Sequence, residues 1–245
     1  MKIGILETGL LREQLADRFD PYPVMFERFL NLSGADFKAC SYSVIRGEMP
    51  ASVYDCDGWL ITGSKHGVYE NLEWMLKLQE FVREIAESGV PLAGICFGHQ
   101  IIAQALGGNV VKSDKGWGVG LHQYQIDISR SWMQPESEQI KLYAYHQDQV
   151  VELPENAEVF ASSDFCPYAG LIYGDSIISV QAHPEFEKSY EVALLDLFGS
   201  SIMPVEVAQK GYRSMENDES DQLTASCWLS RFFLNAETVS AASNG

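Results

Sequence analysis

Up to residue 106 the chain alternates short runs of β-forming apolar residues with stretches of helical periodicity, and that alternation confines it to a layered α/β fold. Strands are expected over 2–6, 37–44, 57–62 and 90–95. A helix over 22–32 places Met25, Phe26, Phe29 and Leu30 on one face. A second over 72–86 runs through Leu72, Leu76, Gln79 and Val82 before Ser88-Gly89 closes it. Repeated strand, helix, strand units imply right-handed crossovers and parallel pairing, and such sheets bind ligands beyond the carboxyl ends of their strands. The expected fold class is therefore α/β, a doubly wound, mostly parallel central sheet with flanking helices. From Gly116 onward the pattern changes to closely spaced strands, 118–128, 140–145, 159–162 and 171–180, read as an antiparallel extension leading back to the site; a last core helix is expected over 187–198.

One strand-to-helix join carries chemistry. In Gly94-Ile95-Cys96-Phe97-Gly98-His99-Gln100 a cysteine stands between two glycines, where strand 90–95 gives way to a helix over 100–106. A thiol there faces a helix N-terminus, whose unpaired N–H groups and positive dipole end favour thiolate over thiol. Gly94 and Gly98 lack the Cβ that would clash in a tight elbow, and they let a substrate approach the backbone. Taken alone, the segment reads equally well as a buried structural cysteine.

Downstream, Gln181-Ala182-His183-Pro184-Glu185-Phe186 follows an apolar strand over 176–180. Pro184 biases His183 toward extended backbone, in which residues two apart point the same way. The Glu185 carboxylate can then bond one imidazole nitrogen and fix its tautomer, leaving the other for a thiol brought in by the fold. A capped strand end would explain an isolated His-x-Glu. Beside the cysteine elbow, the segment reads as the rest of a triad of Cys96, His183 and Glu185.

These two segments resemble the signatures of the class I glutamine amidotransferases, which work through a cysteine, a histidine and a glutamate. Ile61-Thr62-Gly63-Ser64 is similar to the family's loop after its third strand, and Tyr145-His146-Gln147-Asp148-Gln149-Val150 to its His-x-Asp-x-Val segment. The resemblance spans roughly residues 1–200. Nearest in pattern are the glutaminase domain of GMP synthetase and stand-alone γ-glutamyl peptidases; Gly63-Ser64-Lys65 departs from the Gly-Gly-Pro of the former. The resemblance implies a flavodoxin-like fold and attack of Cys96 on the side-chain amide of glutamine, or on an equivalent γ-glutamyl carbonyl. It further implies an oxyanion held by the backbone N–H groups of Gly63 and Phe97, protonation of the leaving amine by His183, and a γ-glutamyl thioester that water hydrolyses to glutamate. Gln100, one turn after Cys96, is placed on the substrate's polar head, with Ser64 and His146 as further substrate-binding candidates. No cofactor is implied.

Composition narrows the partners. The 245 residues suffice for one substantial α/β core, and a formal charge of -17 argues against nucleic acid and against anionic membrane surfaces. Five cysteines without a C-x-x-C pair read as reduced thiols, with no task for Cys40, Cys56, Cys166 or Cys227. The first residues enter a strand at once and no apolar run approaches the roughly 18 residues of a membrane span, so a cytoplasmic location is expected. His66, His99 and His122 lack metal-ligand spacing, so no metal is assigned. Gly116-Trp117-Gly118-Val119-Gly120 is not a dinucleotide fingerprint and no Walker A run occurs, so no nucleotide site is assigned either.

Beyond residue 204 the resemblance fades. The expected organisation is a domain over 1–204 and an extension over 205–245, with an acidic linker at 213–221, a helix at 223–236 and a disordered end from 238. Trp228, Leu229, Phe232 and Phe233 form an apolar stripe expected to cover the sheet, with a homodimer or partner contact as the alternative. Three functions are open to such a chain. The leading one is a glutaminase whose ammonia goes to a synthetase or other acceptor protein in trans. The second is a free-standing γ-glutamyl peptidase. The third, a non-catalytic binding relative, is disfavoured because Cys96, His183 and Glu185 are all present.

Overall fold

The computed structural model describes residues 1–243, with side chains through Asn235. Its first half alternates as the periodicity requires: β1 (Lys2–Leu6), α1 (Tyr22–Asn31), β2 (Lys38–Tyr42), β3 (Gly58–Ile61), α2 (Glu73–Ser88), β4 (Leu92–Ile95) and α3 (Phe97–Ala105). Then come β5 (Asn109–Lys112), β6 (Gly118–Ile126), β7 (Gln139–His146), β8 (Asp148–Glu152), β9 (Ala157–Ser162), β10 (Gly170–Tyr173) and β11 (Ile177–Val180). Helices α4 (Lys188–Phe198), α5 (Val205–Ser214) and α6 (Gln222–Ser243) close the chain. Nine strands form one sheet in the order β2-β1-β3-β4-β11-β10-β9-β6-β7, and β5 pairs with β8 in a separate ribbon. The first five of that order are parallel and the remainder antiparallel.

The stretch 171–180, expected as one strand, is a hairpin broken at Gly174, whose φ of 59° a β-carbon would oppose. Its second arm, β11, runs parallel to β4, with Ile178 opposite Ala93 and Val180 opposite Ile95. The strand that delivers His183 therefore belongs to the parallel sector and not to the antiparallel extension. Ile177, Ile178 and Ser179 are all buried, as a strand covered on both faces requires.

Helix α2 buries Met75, Leu78, Gln79, Phe81, Val82 and Ile85, while Leu76 is 47% exposed. The expected stripe through Leu72 and Leu76 is thus rotated, because Met75, Leu78, Val82 and Ile85 form the longer apolar row. The region beyond 204 adds two helices to the core. Trp228, Leu229, Phe232 and Phe233 of α6 are buried in one cluster with Ile3, Ile5, Phe29 and Ile95, and a Cβ at Gly58 would lie 2.9 Å from the Phe233 ring. Burying each such side chain contributes about 1.5–3 kcal/mol. The acidic stretch expected as a linker at 213–221 begins inside α5 and is then tied to the edge of β7. The Asp221 N–H donates to the Lys141 carbonyl, the Asp221 carboxylate accepts from the Lys141 N–H, and Asp218 pairs with the Lys141 ammonium at 2.8 Å. The helix expected at 223–236 runs on to Ser243, through most of the stretch from residue 238 expected to be disordered; residues 244 and 245 lie outside the described residues. Among the described residues no helix is long and apolar enough to cross a membrane, and no group of three His, Cys, Asp or Glu side chains is placed to hold a metal ion.

Candidate active site

Strand β4 ends at Ile95 and α3 begins at Phe97, so a single residue makes the turn. Cys96 adopts φ 53° and ψ −101°, a conformation that L-residues rarely hold without support. Support comes from both sides: the Cys96 N–H donates to the Val180 carbonyl at 2.9 Å, and its carbonyl accepts from the Gln100 N–H at 3.1 Å. Helix α3 lies so close to the sheet that a Cβ at Gly98 would sit 2.4 Å from the Ile61 oxygen, and one at Gly94 would sit 2.6 Å from the Gly98 carbonyl. Cys96 is thereby held at the N-terminus of α3, buried. The Phe97 N–H, first in the helix, has no partner among the described residues.

His183 stands where β11 ends. Its N–H donates to the Tyr143 carbonyl at 2.8 Å, so β7, the far edge of the antiparallel sector, curls back to hold it. Residues 183–186 make a turn, closed by the Phe186 N–H on the His183 carbonyl at 3.4 Å, and not the extended chain expected. The turn still brings Glu185 under the ring, with its Oε1 accepting from His183 Nδ1 at 2.7 Å. Phe186 stacks on the imidazole with centroids 4.0 Å apart and planes 9° apart. The Cys96 thiol is close enough to act on the same ring electrostatically. Burial pushes the imidazole down, but Cys96 and Glu185 outweigh it and hold His183 well above its ordinary value. Gln222, at the start of α6, donates to the carbonyls of Pro184 and Phe186 at 3.0 and 3.2 Å, fixing the turn from the region where the family resemblance ends.

The loop after β3 completes the arrangement. A Cβ at Gly63 would lie 2.9 Å from His183 Cε1 and 3.8 Å from Cys96 Cβ, so its backbone borders both groups. Its N–H, like that of Phe97, has no partner among the described residues. Thr8, which no motif singles out, orients this loop: its hydroxyl donates to the Thr62 carbonyl at 2.8 Å and its N–H to the Thr62 hydroxyl at 3.0 Å. A thiol, an imidazole oriented by a carboxylate, and two open N–H groups beside the sulfur are the parts that acyl transfer needs.

The proposed substrate-binding residues line one cleft of about 740 Å³ that contains Cys96, His183, Gly63, Ser64, Gln100 and His146. Both N–H groups of the Gln100 amide are engaged, donating to the Asp148 carbonyl at 3.0 Å and to Gln181 Oε1 at 3.1 Å. Ser64 accepts from the His66 N–H at 3.3 Å. His146 is buried; burial pushes it down to about 3, so its ring is neutral, with Nδ1 donating to the Asp148 carbonyl at 3.2 Å. His99, assigned no task, is bonded to Ser179 within the core at 2.8 Å. Arg12, Lys65 and Lys112 also reach the cleft, and none of them forms an ion pair among the described residues. Behind the triad Glu191 is wholly buried, its Oε1 accepting from the Gly120 N–H at 2.8 Å; burial pushes this carboxyl up to about 8. Sequence periodicity placed Glu191 in a helix and gave no sign of its burial.

Residues 34–198 match the family model described as glutamine amidotransferase class-I. The chain is 31% identical over 193 residues to γ-glutamyl peptidase 4 of Arabidopsis thaliana, covering 74% of this chain and 76% of that protein. It is 35% identical over 122 residues to the glutamine-hydrolyzing GMP synthase of Clostridium novyi, covering 49% of this chain and 22% of that enzyme. A crystal structure of a glutamine amidotransferase from Thermotoga maritima superposes with a TM-score of 0.71 at 19% identity, covering 94% of this chain and 98% of that one.

Proposed function

The chain belongs to the class I glutamine amidotransferase family, and from that premise we propose that it is a cysteine hydrolase of γ-glutamyl amides whose amine is larger than ammonia. The cleft carries this reading. Glutamine has roughly ten non-hydrogen atoms, whereas clefts of about 300–1,000 Å³ accommodate drug-sized ligands. The 740 Å³ around Cys96 leaves room beside a γ-glutamyl group for a substantial leaving amine. Four of the relatives matched are γ-glutamyl peptidases.

In this reading the Cys96 thiolate attacks the γ-carbonyl carbon while the Gly63 and Phe97 N–H groups receive the oxyanion. Each such donor is worth about a hundred- to a thousandfold in rate. His183, paired with Glu185, passes its proton to the departing amine and leaves a γ-glutamyl thioester on Cys96. Water, deprotonated by the same imidazole, then releases glutamate and restores the thiol. The Gln100 Oε1, whose NH₂ is engaged elsewhere, is one acceptor available for the substrate's α-ammonium, in a cleft that Glu13, Glu70 and Asp148 also line.

The second reading, a glutaminase supplying ammonia to an acceptor protein in trans, is favoured by the match to GMP synthase. The two separate on one enzyme by comparing kcat/KM for amine release from γ-glutamyl dipeptides with that for ammonia release from glutamine. A preference for dipeptides above about tenfold, roughly 1.4 kcal/mol, is expected. Equal or greater efficiency on glutamine would transfer the assignment to the glutaminase, and inertness toward both would leave a binding protein.

A further inference from the structure

We infer that Gln181, which lies outside the triad, is a positioning residue that holds the nucleophilic sulfur and the substrate-facing amide of Gln100 in a single relay; this rests on Cys96 being the nucleophile. Gln181 follows β11 directly and has no exposed surface. Its backbone is fixed by the bond from its N–H to the Ala169 carbonyl at 2.8 Å. Its Nε2 donates to Cys96 Sγ at 3.7 Å, and its Oε1 accepts from Gln100 Nε2 at 3.1 Å. The same Gln100 nitrogen donates to the Asp148 carbonyl at 3.0 Å. The chain of bonds thus runs from the backbone beside His146, through both amides, to the sulfur.

Only an amide satisfies both ends of this relay. The sulfur side requires a donor, because the anionic form of the thiol accepts hydrogen bonds, and charge-assisted bonds are the stronger kind. The Gln100 side requires an acceptor, because with its two N–H groups engaged Gln100 has only Oε1 left to present to the cleft. A carboxylate at 181 keeps the acceptor but sets a negative charge against the thiolate. A methionine of similar length supplies neither. The donor matters most while the sulfur is anionic, so its loss falls on the step that begins from the thiolate, and loss of the acceptor falls on substrate binding.

Gln181→Glu and Gln181→Met separate these two halves, with thermal melts showing that both variants fold. Gln181→Glu is expected to lose about ten- to a hundredfold in kcat at pH 8 with KM within about threefold of the parent. The ratio of its kcat to that of the parent should rise as pH falls, since the protonated carboxyl is again a donor. Gln181→Met is expected to lose in kcat and also to raise KM by about tenfold, because the Gln100 amide can then rotate. A pH-independent ratio for Gln181→Glu, or unchanged kcat and KM in both variants, would overturn the inference. If the parent protein hydrolyses neither glutamine nor γ-glutamyl dipeptides, the hydrolase reading is what fails. Alkylation of Cys96 by iodoacetamide at pH 8 then decides the matter for Gln181: slower alkylation in Gln181→Glu supports the contact with sulfur, and equal rates refute it.

Discussion

A β-carbon at position 63 would lie 2.9 Å from Cε1 of His183, so the loop after β3 and the imidazole of the site meet without space for a methyl group. The requirement is for the absence of a side chain and not for a special backbone angle, since Gly63 is not among the positive-φ residues.

Gly63→Ala should therefore displace either the loop or the ring and cost about a hundred- to a thousandfold in kcat, with a much smaller loss of thermal stability. Steady-state kinetics beside a thermal melt would test it. A decrease below about tenfold would mean that the Gly63 N–H does not face the reacting carbonyl.

Cys96 should react first with a glutamine-like electrophile near neutral pH. It stands at the open N-terminus of α3 beside an imidazole held in its protonated form, whereas burial pushes Cys56 up to about 11 and Cys166 up to about 12. Peptide mass mapping after brief labelling would show the order. Modification of Cys56 or Cys166 ahead of Cys96 would contradict the assignment.

Glu185→Gln should leave a measurable residual rate, about 10³- to 10⁴-fold below the parent, because the 2.7 Å bond orients His183 without exchanging atoms with substrate. Cys96→Ala should leave none. Comparable rates for Glu185→Gln and the parent would show that another group orients the imidazole.

Glu191 makes stability depend on pH. Burial raises its carboxyl from an ordinary value near 4.5 to about 8, so between those values the folded protein holds a proton that the unfolded chain has released. Folding then takes up a proton, and stability should decline as pH rises through that window and level off above it. Glu191→Gln keeps the acceptor for the Gly120 N–H and removes the titration. The two proteins should melt alike at pH 5, with the variant several degrees higher at pH 8.5, a difference of at most a few kcal/mol. Parallel melting curves at both pH values would place the proton elsewhere.

How much of this was legible in the sequence follows from the range of each interaction. The parallel sector and a strand-to-helix join at Cys96 are local, written in residue periods and glycine spacing, so the chain by itself determined them; the pairing of His183 with Glu185 was legible too, but it is made by a turn at 183–186 and not by the two-residue step of an extended chain. The apolar stripe of α6 was legible in the same way, since it had to cover a face and the sheet offered one. The face that α2 buries was written in its longer apolar row, Met75, Leu78, Val82 and Ile85, whereas the break at Gly174 and the parallel insertion of β11 were decided when neighbouring strands competed for the same edges. The supports of the site were out of reach altogether. Thr8 meets Thr62 across 54 residues, Gln222 meets Pro184 across 38, and Gln181 meets Cys96 across 85. A residue's own chemistry makes it able to donate or accept, but its partner is chosen by crossovers that bring distant segments to one end of the sheet, and only the tertiary structure settles that choice.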